Sequence, residues 1–204
     1  MDLWGPCKVV TAGGAKYLFC IVDDMSRYTW IIPLETKDET FGIFKSFHHR
    51  VEKQTGKKVV AIRTDRGGEF VSKEFEDYLN GMGIRIQRTN PASPEMNGIA
   101  ERINRTIHDG VRTVLDDSQL DEDLWAELAL TVTHLKNRFP HSSIGNQISY
   151  VLFRKRKLVL TYLKIPGLLA FVHFPQHKRE SKHSPRAWKG IVLGYAMSTR
   201  GYRI

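Results

Sequence analysis

The chain has 204 residues, of which 41% are apolar and 26% charged. That balance excludes a disordered or fibrous polypeptide. No apolar run approaches the ~20 residues that span a bilayer, so no membrane partner is expected. No signal peptide opens the chain, which points to an intracellular, soluble protein. The formal charge of +9 is unevenly placed: residues 1–150 carry 19 Lys/Arg against 21 Asp/Glu, and residues 151–204 carry 12 against 1. A basic end of this kind reads either as a nucleic-acid-binding segment or as a solvated basic surface. Cys7 and Cys20 are the only cysteines and form no CxxC pair, so neither a disulfide scaffold nor a zinc module is indicated.

In chain order, Lys16 to Val22 and Tyr28 to Leu34 are two apolar runs around the polar turn Asp23-Asp24-Met25-Ser26, the pattern of a hairpin. Turn hydrogen bonding is the expected role of Asp23 and Asp24. Phe41, Phe44, Phe47 and Val51 recur at three- and four-residue steps, which predicts a helix from Asp38 to about Gln54, ended by Gly56. His48-His49 reads as exposed helix. Lys58 to Thr64 has a continuously apolar middle and reads as a strand buried on both faces. A second helix follows over Ser72 to Gly83, then a strand over Ile84 to Gln87. Alternating strands and helices predict an α/β layered domain.

Asp65 stands at the carboxyl end of the Lys58–Thr64 strand, where ligands of open α/β sheets collect; taken alone it is equally a turn aspartate. The Pro-, Asn- and Gly-rich stretch from Arg88 to Gly98 is a loop feeding a helix from about Asn97 to Leu115. Ile99, Ile103, Ile107, Gly110, Val111 and Val114 form its apolar stripe, while Asn97, Glu101, Asn104, Arg105, His108 and Arg112 fall on another, rotated by more than ~100°. Glu101 therefore points away from the core; alone, it reads as a surface pair with Arg105 worth ~0.2–0.5 kcal/mol. A further apolar-rich helix is expected over Asp123 to Arg138, packed on the core or on another subunit, and the last segment alternates like a small β-rich module. His173 and His177 have ligand-like spacing, but no third partner makes them a zinc site.

The motifs Asp2-Leu3-Trp4-Gly5-Pro6, Val22-Asp23-Asp24 with Ser26 to Trp30, Thr64 to Phe70, and Asn97 to Arg102 occur in consistent order. With Lys189 to Tyr195 and Gly201-Tyr202-Arg203, they resemble the integrase core of copia-type retrotransposons, a branch of the retroviral integrase superfamily. The resemblance covers nearly the whole chain. It implies an RNase H-like fold, a mixed five-stranded sheet flanked by helices with its first strand truncated, in a core over residues 1–118. A helical segment (119–150) and a basic β-rich module (151–204) would follow.

It also implies a catalytic and metal-binding triad of Asp2, Asp65 and Glu101 holding two Mg²⁺ or Mn²⁺ ions, since hard cations take carboxylate oxygens and paired ions stabilise both oxygens of a phosphodiester transfer. The partners would be double-stranded DNA, at element ends and target, and further copies of the chain in a homo-oligomer. Asn97, Arg102, Arg105 and Arg112 on the helix, with Lys155, Arg156 and Lys157 beyond it, are candidate phosphate contacts; a solvated helix face is the alternative for the arginines. Departures from the pattern are a first strand reduced to a stub before Asp2, which is then expected to fray, and Ile148-Ser149-Tyr150 lacking the family's acidic residue. The chain therefore reads either as an integrase core region performing end processing and strand transfer, with activity weak or lost, or as a non-catalytic nucleic-acid-binding remnant. A nuclease that cuts without joining is a third reading.

Overall fold

The computed structural model describes residues 1–65, 67–88, 98–179, 181, 183–197 and 199–204, with nothing described for the Lys178 side chain. β1 (Asp2–Trp4) pairs antiparallel with β2 (Tyr17–Val22), Asp2 opposite Cys20, and β2 pairs antiparallel with β3 (Thr29–Leu34). The hairpin turn closes as expected, Asp23 Oδ2 accepting hydrogen bonds from Ser26 N at 2.9 Å and Ser26 Oγ at 2.5 Å. α1 (Glu39–Thr55) stops where Gly56 adopts a left-handed conformation, φ 67°. β4 (Ala61–Thr64), α2 (Lys73–Gly81) and β5 (Arg85–Arg88) form a parallel crossover unit, and Ser72 caps α2 by accepting from Phe75 N.

Among the described residues, the first five strands pair as two sheets, β1–β2–β3 and β4–β5. Besides side-chain packing, one hydrogen bond among the described residues bridges them: the Met1 ammonium donates to Arg63 O at 2.5 Å. That places β1 between β2 and β4, so the five strands follow one order without a continuous ladder.

Side-chain alternation along β2 builds two cores, because successive residues point to opposite faces. Phe19 and Ile21 join Phe44, Phe47, Phe70 and Phe75 on the α1–α2 side. Leu18 and Cys20 join Ile103, Ile107, Trp125 and Leu128 on the side of α3 (Gly98–Ser118) and α4 (Trp125–Lys136). Cover on both faces explains why Tyr17–Val22 is an unbroken apolar run. Truncating a fully buried phenylalanine such as Phe19 costs ~3–5 kcal/mol.

Three sequence expectations are corrected. The strand expected over Lys58 to Thr64 begins only at Ala61, and it is not buried on both faces: Arg63 is exposed and Val60 is 65% exposed. The hydrophobic run is real, but only the α1–α2 side of β4 has a core to meet, through Ile62. His48 is 2% exposed, its Nδ1 2.8 Å from Tyr78 Oη on α2, so it is a core histidine and not an exposed helix residue. Asp2 does not fray: the β1 ladder, the Met1–Arg63 bond and the burial of Met1 hold it.

α4 is tied to β3 by Asn137, whose Oδ1 accepts from Thr29 N at 2.9 Å and whose Nδ2 donates to Thr29 O at 2.7 Å. Beyond it come β6 (Pro140–His141), β7 (Gln147–Ile148), the short α5 (Ser149–Arg154), the antiparallel pair β8 (Leu169–His173) and β9 (Ala187–Ile191), and the pair β10 (Gly194–Tyr195) and β11 (Tyr202–Arg203). The last pair sits on α4. Thr131 Oγ1 donates to Leu193 O at 2.8 Å, Arg203 pairs with Glu127, and Tyr195 stacks on His134 with centroids 4.1 Å apart.

Candidate active site

Strand alternation on β1 places Met1 and Leu3 in the α1–α2 core, and Trp4 with the α3–α4 core. Asp2 shares Trp4's face and meets α3 there: Asn104 Nδ2 donates to Asp2 Oδ2 at 2.6 Å, across 102 residues of sequence. Burial raises the Asp2 carboxyl above its ordinary value; the Asn104 hydrogen bond opposes that shift, and the negative charge of Asp65 adds to it. A half-buried carboxylate beside a second one is costly in its charged form unless a cation offsets it. Asp65 follows β4 directly and is half-buried, its Oδ1 accepting from Gly67 N at 3.1 Å.

Glu101 is exposed in the first turn of α3 and faces the same open groove as Asp2 and Asn104, a groove of about 1100 Å³. Trp4, His108, Arg105 and Arg112 also line it. Asp2 thus lies near enough to Asp65 to be affected by its charge, and Glu101 lies on the groove that Asp2 faces, which Asp65 does not line. The structure does not close the three around one point: among the described residues no group of three His, Cys, Asp or Glu side chains is close enough to hold a metal ion. The donors on offer are carboxylate oxygens, the chemistry that suits a hard divalent cation, and the raised carboxyl of Asp2 is what such a cation would relieve.

Of the expected phosphate contacts, Arg105 and Arg112 are exposed on this groove, Arg112 beside Asp109 at 3.3 Å. Arg102 is exposed on α3. Lys155, Arg156 and Lys157 are exposed just past α5; Lys155 and Arg156 line a different groove. Asn97 lies outside the described residues.

The sequence reading placed Asn104 and His108 on the stripe turned away from the core, and the structure corrects this. Asn104 is 5% exposed, and the His108 ring lies 3.8 Å from that of Trp4. Burial, then the charge of Arg112, lowers the His108 pKa, with Asp109 opposing. A helical wheel counts these residues as polar, but β1 lies over that stripe and supplies a polar partner to match. A buried-capable asparagine three residues after Glu101 was the available signal.

Two family models, each described as an integrase core domain, match residues 1–94 and 82–148. A curated relative, "Retrovirus-related Pol polyprotein from transposon TNT 1-94" of Nicotiana tabacum, is 38% identical over 203 residues, an alignment that covers 100% of this chain and 15% of the relative. The chain belongs to the integrase core family. It is an integrase core region of the retrotransposon kind and spans about one seventh of the length of that polyprotein. The family is one of polynucleotidyl transferases that depend on divalent metal. A third model, described as a retroviral polymerase SH3-like domain, matches residues 168–204.

Solved structures support the fold of this integrase core. A simian T-cell lymphotropic virus intasome in complex with PP2A regulatory subunit B56 gamma matches with a TM-score of 0.56 at 18% identity, covering 94% of this chain and 67% of that one. The catalytic core domain of BIV integrase matches with a TM-score of 0.50 at 19% identity, covering 68% and 86%. The fold is RNase H-like with a C-terminal β module. No helix among the described residues is long and apolar enough to cross a membrane.

Proposed function

We propose that this integrase core performs metal-dependent phosphodiester transfer on double-stranded DNA, with Asp2, Asp65 and Glu101 as the catalytic carboxylates. The observation that carries the reading is the Asp2 carboxylate: tied to Asn104, raised by burial and by Asp65, and facing the groove that Glu101 also lines. The three carboxylates would hold Mg²⁺ or Mn²⁺, two ions by analogy with the family. When bound, such ions stabilise charge on the attacking and leaving oxygens and activate the nucleophile.

The chain's own groups do the rest. Asn104 fixes one Asp2 oxygen and leaves the other free to act as a ligand. The Gly67 amide steadies Asp65. Arg105 and Arg112 meet phosphates of the strand lying along α3. Water is the nucleophile in trimming a DNA end, and the freed 3′-hydroxyl is the nucleophile in joining it to a target. Several copies would act together on two DNA ends. Asn97, Arg102, and Lys155 to Lys157 extend the nucleic-acid contacts, Lys155 and Arg156 from the separate groove past α5.

That separation, with no closed metal cluster among the described residues, favours a second reading: a protein that binds DNA through its basic surfaces without catalysis. A duplex carrying the element's end, incubated with target plasmid and Mg²⁺, tests both. Joined product abolished by Glu101→Gln supports transfer. Cleavage without joining identifies a nuclease, and salt-sensitive binding alone identifies the non-catalytic protein.

A further inference from the structure

Two rungs join β1 to α3. Asp2 and Trp4 share a face of the strand, and Asn104 and His108 stand one turn apart on the helix. The first rung is the hydrogen bond of 2.6 Å from Asn104 to Asp2. The second is the His108 ring, whose centroid lies 3.8 Å from that of Trp4 at an interplanar angle of 41°. Two residues of strand advance by ~6.6 Å and four residues of helix by ~6 Å, so both rungs close in one register. We propose that His108 is a positioning residue: its ring holds Trp4, and through β1 it keeps Asp2 on Asn104 and at a set spacing from Glu101. The hold on the Asp2–Asn104 bond is a property of the metal-free protein. The spacing to Glu101 rests on the reading of these carboxylates as ligands of one metal site.

Trp4 is the last residue of β1, and one rung alone would let the strand pivot about the Asp2–Asn104 bond. On its other side Trp4 meets Trp125 of α4 edge-on, with centroids 5.8 Å apart and planes at 72°. Trp125 is a fixed wall: it is buried, and its Nε1 donates to Val9 O at 2.8 Å. Trp4 is therefore clamped between that wall and the half-buried ring of His108, which lines the groove shared by Asp2 and Glu101. The ring acts as a neutral spacer. Burial, then the charge of Arg112, lowers its pKa, with Asp109 opposing. Its Nε2 is shut away from water, with no hydrogen-bond partner among the described residues. A histidine that grips phosphate needs its charge and an open approach, as the exposed Arg105 and Arg112 of the same groove have. Glu101 stands three residues before Asn104, ~4.5 Å along the helix axis, so any slip of β1 along α3 alters the spacing of Asp2 and Glu101 directly.

The test follows the Asn104 side-chain amide by nuclear magnetic resonance in the metal-free 204-residue protein. The same samples are then titrated with Mn²⁺, read by electron paramagnetic resonance. His108→Ala removes the ring, and His108→Gln removes it while filling the space, which keeps the test open if the alanine variant does not fold. His108→Phe keeps a neutral ring, and His108→Arg supplies a cation. In the two ringless variants, exchange of the Asn104 Nδ2 protons should quicken at least ~10-fold, and Mn²⁺ affinity should fall at least ~10-fold. His108→Phe should restore both, and His108→Arg neither. Unchanged exchange at Asn104 in the ringless variants would sink the proposal. So would failure of His108→Phe to rescue, or wild-type behaviour of His108→Arg, which would show that a cation serves as well as a neutral ring. Quickened exchange with unchanged Mn²⁺ affinity overturns the spacing to Glu101. If the unaltered protein binds no Mn²⁺, the metal reading fails by itself, and the exchange rates still decide whether His108 holds Asp2.

Discussion

Two polar clusters join distant parts of this chain, and they are finished to different degrees. On α4, the seat of β10–β11 is closed by opposite or complementary groups, only Glu127 Oε2 being left without a partner among the described residues: Thr131 with Leu193 O, Glu127 Oε1 with Arg203, and His134 and Arg138 both with the Tyr162 hydroxyl. On α3, Asn104 is matched to Asp2, but Asp2 is left under the charge of Asp65, no positive side chain among the described residues is bonded to Asp2 or Asp65, and Glu101 faces open water. The first arrangement is what stability alone selects. The second keeps like charges close at a cost in stability, which is how a site that binds a cation differs from a structural knot.

The comparison breaks most sharply at Asp2. Asp2→Asn should reduce metal-dependent strand transfer by at least ~10³-fold and should leave the melting temperature unchanged or raised by ~1–4 °C. Paired activity assays and thermal melts check this; a large loss of stability would show that Asp2 is structural.

Next in size is the opposite cluster. A Cβ on Gly194 would overlap Thr131 Oγ1, so Gly194→Ala should cost ~1–3 kcal/mol. Limited proteolysis should locate the loosening in residues 194–204, with α1 and α2 unaffected. Asn104→Ala should cost a similar ~1.5–3 kcal/mol, since the lost bond is to a charged group; chemical denaturation measures it, and strand transfer should fall with it.

The His134 effect is smaller and depends on pH. Burial first, then the charge of Arg138, lowers its pKa to about 4, while the unfolded residue protonates near ~6.5. Between those values the unfolded chain binds the proton and the folded one does not. The contribution of this group to stability is therefore complete above ~6.5 and lost as pH falls toward 4. The protection factors of the β10–β11 amides, corrected for the intrinsic pH dependence of exchange, should fall from pH 7 to pH 5, and His134→Phe should flatten that trend. Arg112→Ala should have the least effect: slightly weaker DNA binding, with a salt slope reduced by about one ion.

Elements carried by local chemistry were legible in the sequence. The Asp23 turn, α1 with its Gly56 stop, and the Tyr17–Val22 run each depend on neighbours within a few residues. So was the family, because several motifs kept their order. What escaped depended on contacts between remote segments. The burial of His48 comes from α2, 30 residues on; that of Asn104 from β1, 102 residues back. The ordered length of β4 was misjudged because an apolar run does not reveal whether both its faces find cover. Asp2 was expected to be loose for the same reason: the bond that holds its neighbour Met1 comes from Arg63.

That bond has a mechanical consequence. Asp2 belongs to one sheet and Asp65 to the other, and the two sheets are pinned at a point where most are zipped. Among the described residues, a slide of one past the other breaks one backbone hydrogen bond. Such a slide would change the distance between the two aspartates directly. On the proposed reading the seam would act as a gauge: whatever stiffens it, by lengthening the contact between β1 and β4, would also set the spacing at which the proposed carboxylates meet a cation.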